Sequence, residues 1–308
     1  MMILCLIMCH QPHALASSIP CGWNSFDHFS DQVAISTWRP TLGAAERFGE
    51  AYHPGPVDSC NEIRFCVTNP TCIAKKSDTY KDLMKAYDIK VFSMSETAAT
   101  EVVQKHFAHD MKKQKCRMLW SPPVQPHCQT SQGQAHQRGK ASGVAAASAV
   151  PIRPIRNKLP DEWATTTRFV HGVLQLGQSH CQLLVLYCKP VSQTNAVEYN
   201  NQLLQLAIQQ ASLLPLPYMI LGDFNMPVES FESWPLLESK GFRSLDQLHL
   251  RLYSTPMPNT CKGVTKPDNA IVSPLLVPFV SRIQVLEETW LATHSPVMFQ
   301  LSDRKSVV

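Results

Sequence analysis

Several apolar runs in this chain stop on residues that do chemistry, which limits what it can fold into. "EIRFCVTNP" runs out at Asn69 and Pro70, "IKVFSMSET" reaches Glu96, and "CQLLVLYCKP" contains Tyr187. "YMILGDFNMP" breaks into Asp223 and Asn225, and His294 stands just before "SPVMFQLS". Runs of this length bounded by Pro, Asn and Ser read as strands. Polar groups at strand ends are where open sheets place their ligands. In an extended chain Asp223 and Asn225 share a face and Phe224 points back into protein. Gly, Asp and Asn are also ordinary turn formers, so a plain turn stands beside the functional reading of this segment.

Helices fall between these runs. In "SDTYKDLMKAY" Tyr80, Leu83, Met84 and Tyr87 recur on one helical face, with Ser77 as the expected N-cap. "NAVEYNNQLLQLAIQQASLL" predicts a long amphipathic helix. Further strands are expected at "GVAAASAVPI", "TTRFVHGVLQL" and "SRIQVLEET", with a loop-rich stretch after "GDFN". Strands with intervening helices describe an α+β or layered α/β domain. Residues 1–60 lack sustained periodicity and read as a poorly structured leader or linker; residues 61–303 read as the domain and 304–308 as a tail. The N-terminal apolar run resembles a poor signal peptide ending in "ALA", with no Lys or Arg before it, which leaves secretion open. The run is too short to span a bilayer, so no stable membrane association is expected.

Composition narrows the partner. The chain has 308 residues with a net charge of +4, enough for one large core and compatible with a polyanion. From Met111 to Pro160 there is no acidic residue, while Lys112, Lys113, Lys115, Arg117, Arg138, Lys140, Arg153, Arg156 and Lys158 all fall there. Such a stretch is either a solvated loop or a strip for phosphate backbones. The 11 cysteines form no Cys-x-x-Cys pair, which suggests neither a zinc site nor a disulfide framework. They read as small buried hydrophobes in a reducing, intracellular setting, the nucleus included. No obligate protein partner is readable.

"GDFN", "DNAIVSP" and "THSPV", in that order, resemble the closing motifs of the endonuclease/exonuclease/phosphatase superfamily. "VTNPT", "SMSET" and "LVLYCKP" resemble its earlier strand ends, and the match runs from Asn61 to Asp303. The wording is also similar to endonuclease domains of non-LTR retrotransposon polyproteins. The resemblance implies a deoxyribonuclease-I-like fold, a four-layered αββα sandwich. It implies hydrolysis of phosphodiesters with Mg²⁺ or Mn²⁺, acting on nucleic acid and on DNA in particular. Carried over by motif, Glu96 is a metal ligand, with Asn69 in the metal shell. His294 is the imidazole at the phosphate and Asp268 the carboxylate that orients it. Asp223 positions or deprotonates the attacking water, while Asn225 and Tyr187 contact the phosphate. Lys112, Lys113 and Lys115 are the expected backbone contacts.

The chain departs from the pattern on one side of the site. Thr293 stands where the family usually has Asp before the His, Thr71 where an acidic residue commonly follows the Asn, and Ser95 where Gln often precedes the Glu. These losses predict an enzyme with weakened metal binding. Three functions compete: a DNA endonuclease, a phosphodiesterase or phosphatase of the same fold acting on RNA, phospholipid or inositol phosphate, and a decayed nucleic-acid-binding module.

Overall fold

The computed structural model describes residues 62–126, 141–155, 158–287, 291 and 293–302. The expectations for residues 1–60 and 304–308, and those for Arg138, Lys140 and Arg156, lie outside the described residues. Along the chain come β1 (Glu62–Thr68), α1 (Ser77–Tyr87), β2 (Ile89–Ser95), α2 (Glu101–Lys113), β3 (Arg117–Trp120), β4 (Val144–Ser148) and β5 (Ile152–Pro154). They are followed by β6 (Phe169–Leu176), β7 (Ser179–Tyr187), α3 (Ala196–Ser212), β8 (Tyr218–Asp223), α4 (Trp234–Ser239), β9 (Arg243–Ser244) and α5 (Leu245–Tyr253). The last strands are β10 (Asp268–Val272), β11 (Val280–Val285) and β12 (Val297–Ser302).

Two six-stranded sheets result, in the orders β11-β12-β1-β2-β4-β3 and β5-β6-β7-β8-β10-β9. Phe65, Val67 and Val91 from the first sheet meet Leu183, Val185 and Leu221 from the second in one central core. The alternate residues Cys66, Phe92 and Met94 face outwards beneath α1 and α2. On the other side Leu184, Leu186 and Ile220 face outwards beneath α3 and α4. Both faces of the central strands are therefore covered, which is why their sequences run apolar without alternation. The architecture is the expected four-layered αββα sandwich.

One buried amide fastens an outer layer. Gln182 Nε2 donates to the carbonyls of Ala211 and Leu216 at 2.9 and 3.0 Å, closing the C-terminal turn of α3. Its Oε1 pairs with His171 Nε2 at 3.0 Å.

Three local expectations change. The N-cap of α1 is Lys76; the Ser77 hydroxyl instead donates to Asp110 on α2 at 2.9 Å, tying the two helices together. The stretch after "GDFN" contains α4 and α5 rather than loop alone. In "LDQLHLRLY" the leucines at 248, 250 and 252 alternate like a strand, but a capping box between Ser244 and Gln247 starts a helix. That helix buries Leu245 and Leu248 and leaves Leu250 53% exposed. Finally, β8 stops at Asp223, so Asn225 lies beyond the strand.

Candidate active site

The connections bring the polar strand ends to one end of the sandwich. β1 and β2 are parallel neighbours, and so are β7 and β8, so their C-terminal ends lie together. β10 runs antiparallel to β8 and β12 antiparallel to β1, so their starts join the same group. Asn69 and Glu96 follow β1 and β2, Tyr187 and Asp223 close β7 and β8, Asp268 opens β10, and His294 precedes β12. In sheet register Asp223 is paired with Tyr187 on one side and Asp268 on the other.

The two sheets are joined here by a hydroxyl. Ser95 Oγ donates to the Leu186 carbonyl at 2.9 Å and accepts the Asp223 N–H at 3.0 Å. Next to this bridge, Gly222 is required by close approach, since a Cβ there would sit 2.0 Å from Leu186 O. Asn69 Nδ2 lies 2.8 Å from Asp223 Oδ2 and 3.2 Å from Glu96 Oε2, so one amide draws together carboxylates from both sheets. The Tyr187 hydroxyl also hydrogen-bonds Glu96. Glu96 and Asn225 both take the left-handed conformation, with φ of 50° and 53°. For Glu96 this is an uncommon backbone state for a residue with a long side chain.

Asp223 and Asn225 converge for a different reason from strand alternation. Asp223 Oδ1 accepts the Asn225 N–H at 2.9 Å, an Asx turn, while Phe224 is fully buried as expected. "GDFN" is thus a turn, and one that holds Asp223 and Asn225 at the end of the sandwich where the other polar strand ends meet. Asn225 Nδ2 gives one hydrogen to the Cys188 carbonyl at 2.9 Å, which fixes the amide and leaves its second hydrogen for another acceptor.

Asp268 Oδ2 lies 2.6 Å from His294 Nδ1 and accepts the Thr260 hydroxyl at 3.0 Å. Asp268 Oδ1 is buried with no hydrogen-bond partner. Burial pushes the His294 pKa down, but the hydrogen bond and charge of Asp268 outweigh it, and the net direction is upward. Burial, together with the Asp268 charge, pushes the Asp223 carboxyl up to about 7, against opposing contributions from His294, Asn69 and the Asn225 N–H. Burial first, then the charges of Glu96 and Asp223, raise Tyr187 above the ordinary phenol range, which keeps it a proton donor.

The residue types suit a divalent cation. Asp223, Asp268 and His294 each bring a ligand atom within 4.8 Å of the others. The Glu96 and Asp223 carboxylates also converge on one amide, and Asp268 Oδ1 is buried without a hydrogen-bond partner. Two of the three departures from the motif pattern touch one another: Thr71 Oγ1 and Thr293 Oγ1 are hydrogen-bonded at 2.8 Å. Two neutral hydroxyls thus stand together where a pair of acids would add charge.

Not every expected residue arrives. Lys112 and Lys113 end α2, whose first turn follows Glu96, and its 13 residues span about 20 Å. Register agrees: Ser95 pairs with Val144 at the start of β4, whereas Arg117, just after Lys115, pairs with Ser148 at its other end. The structure does not bring these lysines to the site, and Lys113 pairs with Asp110 at 3.3 Å. Sequence reasoning missed Arg168 and Thr260. Arg168 places its guanidinium 4.5 Å from the Tyr187 ring centroid and donates to the carbonyls of Tyr187 and Cys188 at 3.0 and 3.1 Å. No motif marks it; only the pairing of β6 with β7 reveals it.

Comparison with solved structures identifies this architecture as the endonuclease/exonuclease/phosphatase fold. The chain is similar to the 3'-5' exonuclease NExo of Neisseria meningitidis (14% identity, covering 78% of this chain and 100% of that chain, TM-score 0.55). It is similar to the human Nocturnin catalytic domain (15% identity, covering 78% and 93%, TM-score 0.56). It also resembles the endonuclease domain of TRAS1, a telomere-specific non-LTR retrotransposon (12% identity, covering 79% and 99%, TM-score 0.52). No protein-family model matches the sequence, and none of the curated proteins matches it.

Proposed function

We propose that the chain is a phosphodiester hydrolase acting on nucleic acid, in the manner of a retroelement DNA endonuclease. The observation that carries this reading is the buried Asp268–His294 pair at 2.6 Å, beside an Asp223 carboxyl raised to about 7. Asp268 holds His294 by Nδ1, so Nε2 is the nitrogen left to address a phosphate oxygen. The upward shift of His294 favours the imidazolium, which donates a hydrogen bond and offsets charge developing on the phosphate. Asp223, titrating near neutrality, accepts a proton from an attacking water. The free hydrogen of the Asn225 amide and the Tyr187 hydroxyl supply further donors, and Arg168 holds the Tyr187 ring in place.

A divalent cation would be held by Glu96 and the Asn69 side chain. Its contribution would be to neutralise phosphate charge and stabilise the leaving oxygen. With Thr71 and Thr293 neutral, such an ion would keep more waters and bind weakly, which suits Mg²⁺ or Mn²⁺ at raised concentration.

Nicking of plasmid and cleavage of an abasic duplex, an RNA and a phosphoinositide, assayed with and without Mg²⁺, test the reading. Cleavage of a nucleic acid that is abolished in Asp268→Asn is expected. Salt-sensitive DNA binding without cleavage at any metal concentration would leave the decayed binding module as the function.

A further inference from the structure

A cavity of about 580 Å³ lies between the 158–168 segment and α3, lined by Trp163, Thr166, Tyr199, Gln202, Gln205 and Gln209 among others. That volume falls in the range of small-molecule sites. We propose that it is a subsite for an unpaired base of the nucleic-acid strand leaving the cleavage site. The inference rests on the function proposed above.

The lining chemistry selects the ligand. Trp163 and Tyr199 pack against one another in the wall, with centroids 5.2 Å apart and tilted by 48°, and so form an aromatic pair on that side of the cavity. Three glutamine amides follow along α3 at spacings of three and four residues, so they share one face of the helix. An amide both donates and accepts, the pairing a base edge requires, and an aromatic face stacks on any base. No Lys or Arg lines the cavity, so it does not suit a phosphate.

The cations lie on the side of the site instead. Lys189, two residues beyond Tyr187, holds its ammonium 4.0 Å from the Tyr199 ring centroid. Arg168, whose N–H donates to the Thr166 hydroxyl at 3.2 Å, lies over Tyr187. Two short chain segments therefore join the cavity to the catalytic cleft, each carrying a positive charge between the two. A backbone following Arg168 and Lys189 places its base over the aromatic pair.

The test compares the affinity of a labelled oligodeoxyadenylate with that of an equally long, wholly abasic strand, by fluorescence anisotropy in EDTA. The base-containing strand is expected to bind on the order of tenfold more tightly, the usual worth of stacking one base. Trp163→Ala, and the milder Gln205→Ala, should shrink that difference and leave affinity for the abasic strand unchanged. Equal affinities for the two strands, or a difference that survives both substitutions, overturns the subsite, as does failure to bind either strand. Hydrolysis of bis(p-nitrophenyl) phosphate, which has no base, separates this inference from the one beneath it. Turnover without base preference sinks the subsite alone; base preference without turnover sinks the hydrolase.

Discussion

Replacing both Thr71 and Thr293 with aspartate should convert a hydroxyl pair into a charged cage. The two Oγ1 atoms are 2.8 Å apart, so the carboxylates would face each other at roughly 4 Å, a separation at which like charges in a half-buried site repel by about 4 kcal/mol. Water and salt screen part of this, leaving a cost of about 2 kcal/mol, or about 4–8 °C in melting temperature for a domain of this size. A divalent cation removes the repulsion and adds binding energy, about 2.7 kcal/mol at a hundredfold excess over its dissociation constant. Thermal melts in EDTA and across a Mg²⁺ or Mn²⁺ titration check this. The Thr71→Asp/Thr293→Asp variant should melt below wild type in EDTA and recover at far lower metal concentration than wild type needs to respond. Thr293→Asp alone should fall between, because Thr71 can donate a hydrogen bond to the new carboxylate. Equal metal responses in wild type and double variant would refute the assignment of this side of the site to metal binding.

Asp268→Asn should cut kcat on an oligonucleotide by a hundredfold or more while changing binding little, since orientation of His294 acts in the transition state; equal losses in both would count against that role. His171 gives a pH signature. Burial depresses its pKa from 6.5 to about 4, so its contribution is intact above pH 6.5 and is lost as the pH falls towards 4, by about 3 kcal/mol in all. Urea denaturation of wild type against His171→Gln should show that difference appearing only over this acid window. Gly222→Ala should destabilise the fold by about 3 kcal/mol through collision with Leu186 O, measured by the same denaturation. Neutralising Lys112, Lys113 and Lys115 should leave kcat/KM on short oligonucleotides within about twofold of wild type, because α2 carries them about 20 Å from its start beside Glu96.

How legible the site was depended on whether a residue's partner was near in sequence. The strand ends at Asn69, Glu96, Tyr187 and Asp223 were readable because apolar runs stop there; the runs and helices alone gave a layered α/β domain, and the four αββα layers came from the motif resemblance. The Asx turn at Asp223 was half readable, since Gly, Asp and Asn signal a turn without saying that its side chains face a cleft. Arg168, Ser95 and Thr260 were not readable in these roles. Their partners Tyr187, Asp223 and Asp268 come from other strands or the second sheet, and register decides those meetings. Charge composition has no direction: α2 carries Lys112 and Lys113 away from the strand ends as surely as another helix could have brought them near. Likewise α5 lay in a stretch read as loop-rich, and the capping box of Ser244 and Gln247 is what starts a helix there.

Among the described residues β12 is the last strand along the chain, yet it lies inside its sheet, between β11 and β1. During synthesis β1 must therefore wait with one edge unpaired until about 230 further residues have been added, since its partner begins at Val297. An unpaired apolar strand edge is a template for pairing with another chain, so the nascent protein depends on protection over that interval. The same delay holds back completion of the candidate site. His294 immediately precedes β12, so a chain stopped short of it has neither a closed sheet nor an imidazole for Asp268 to hold. A ribosome that stalls late thus releases a product with an open sheet and an incomplete site.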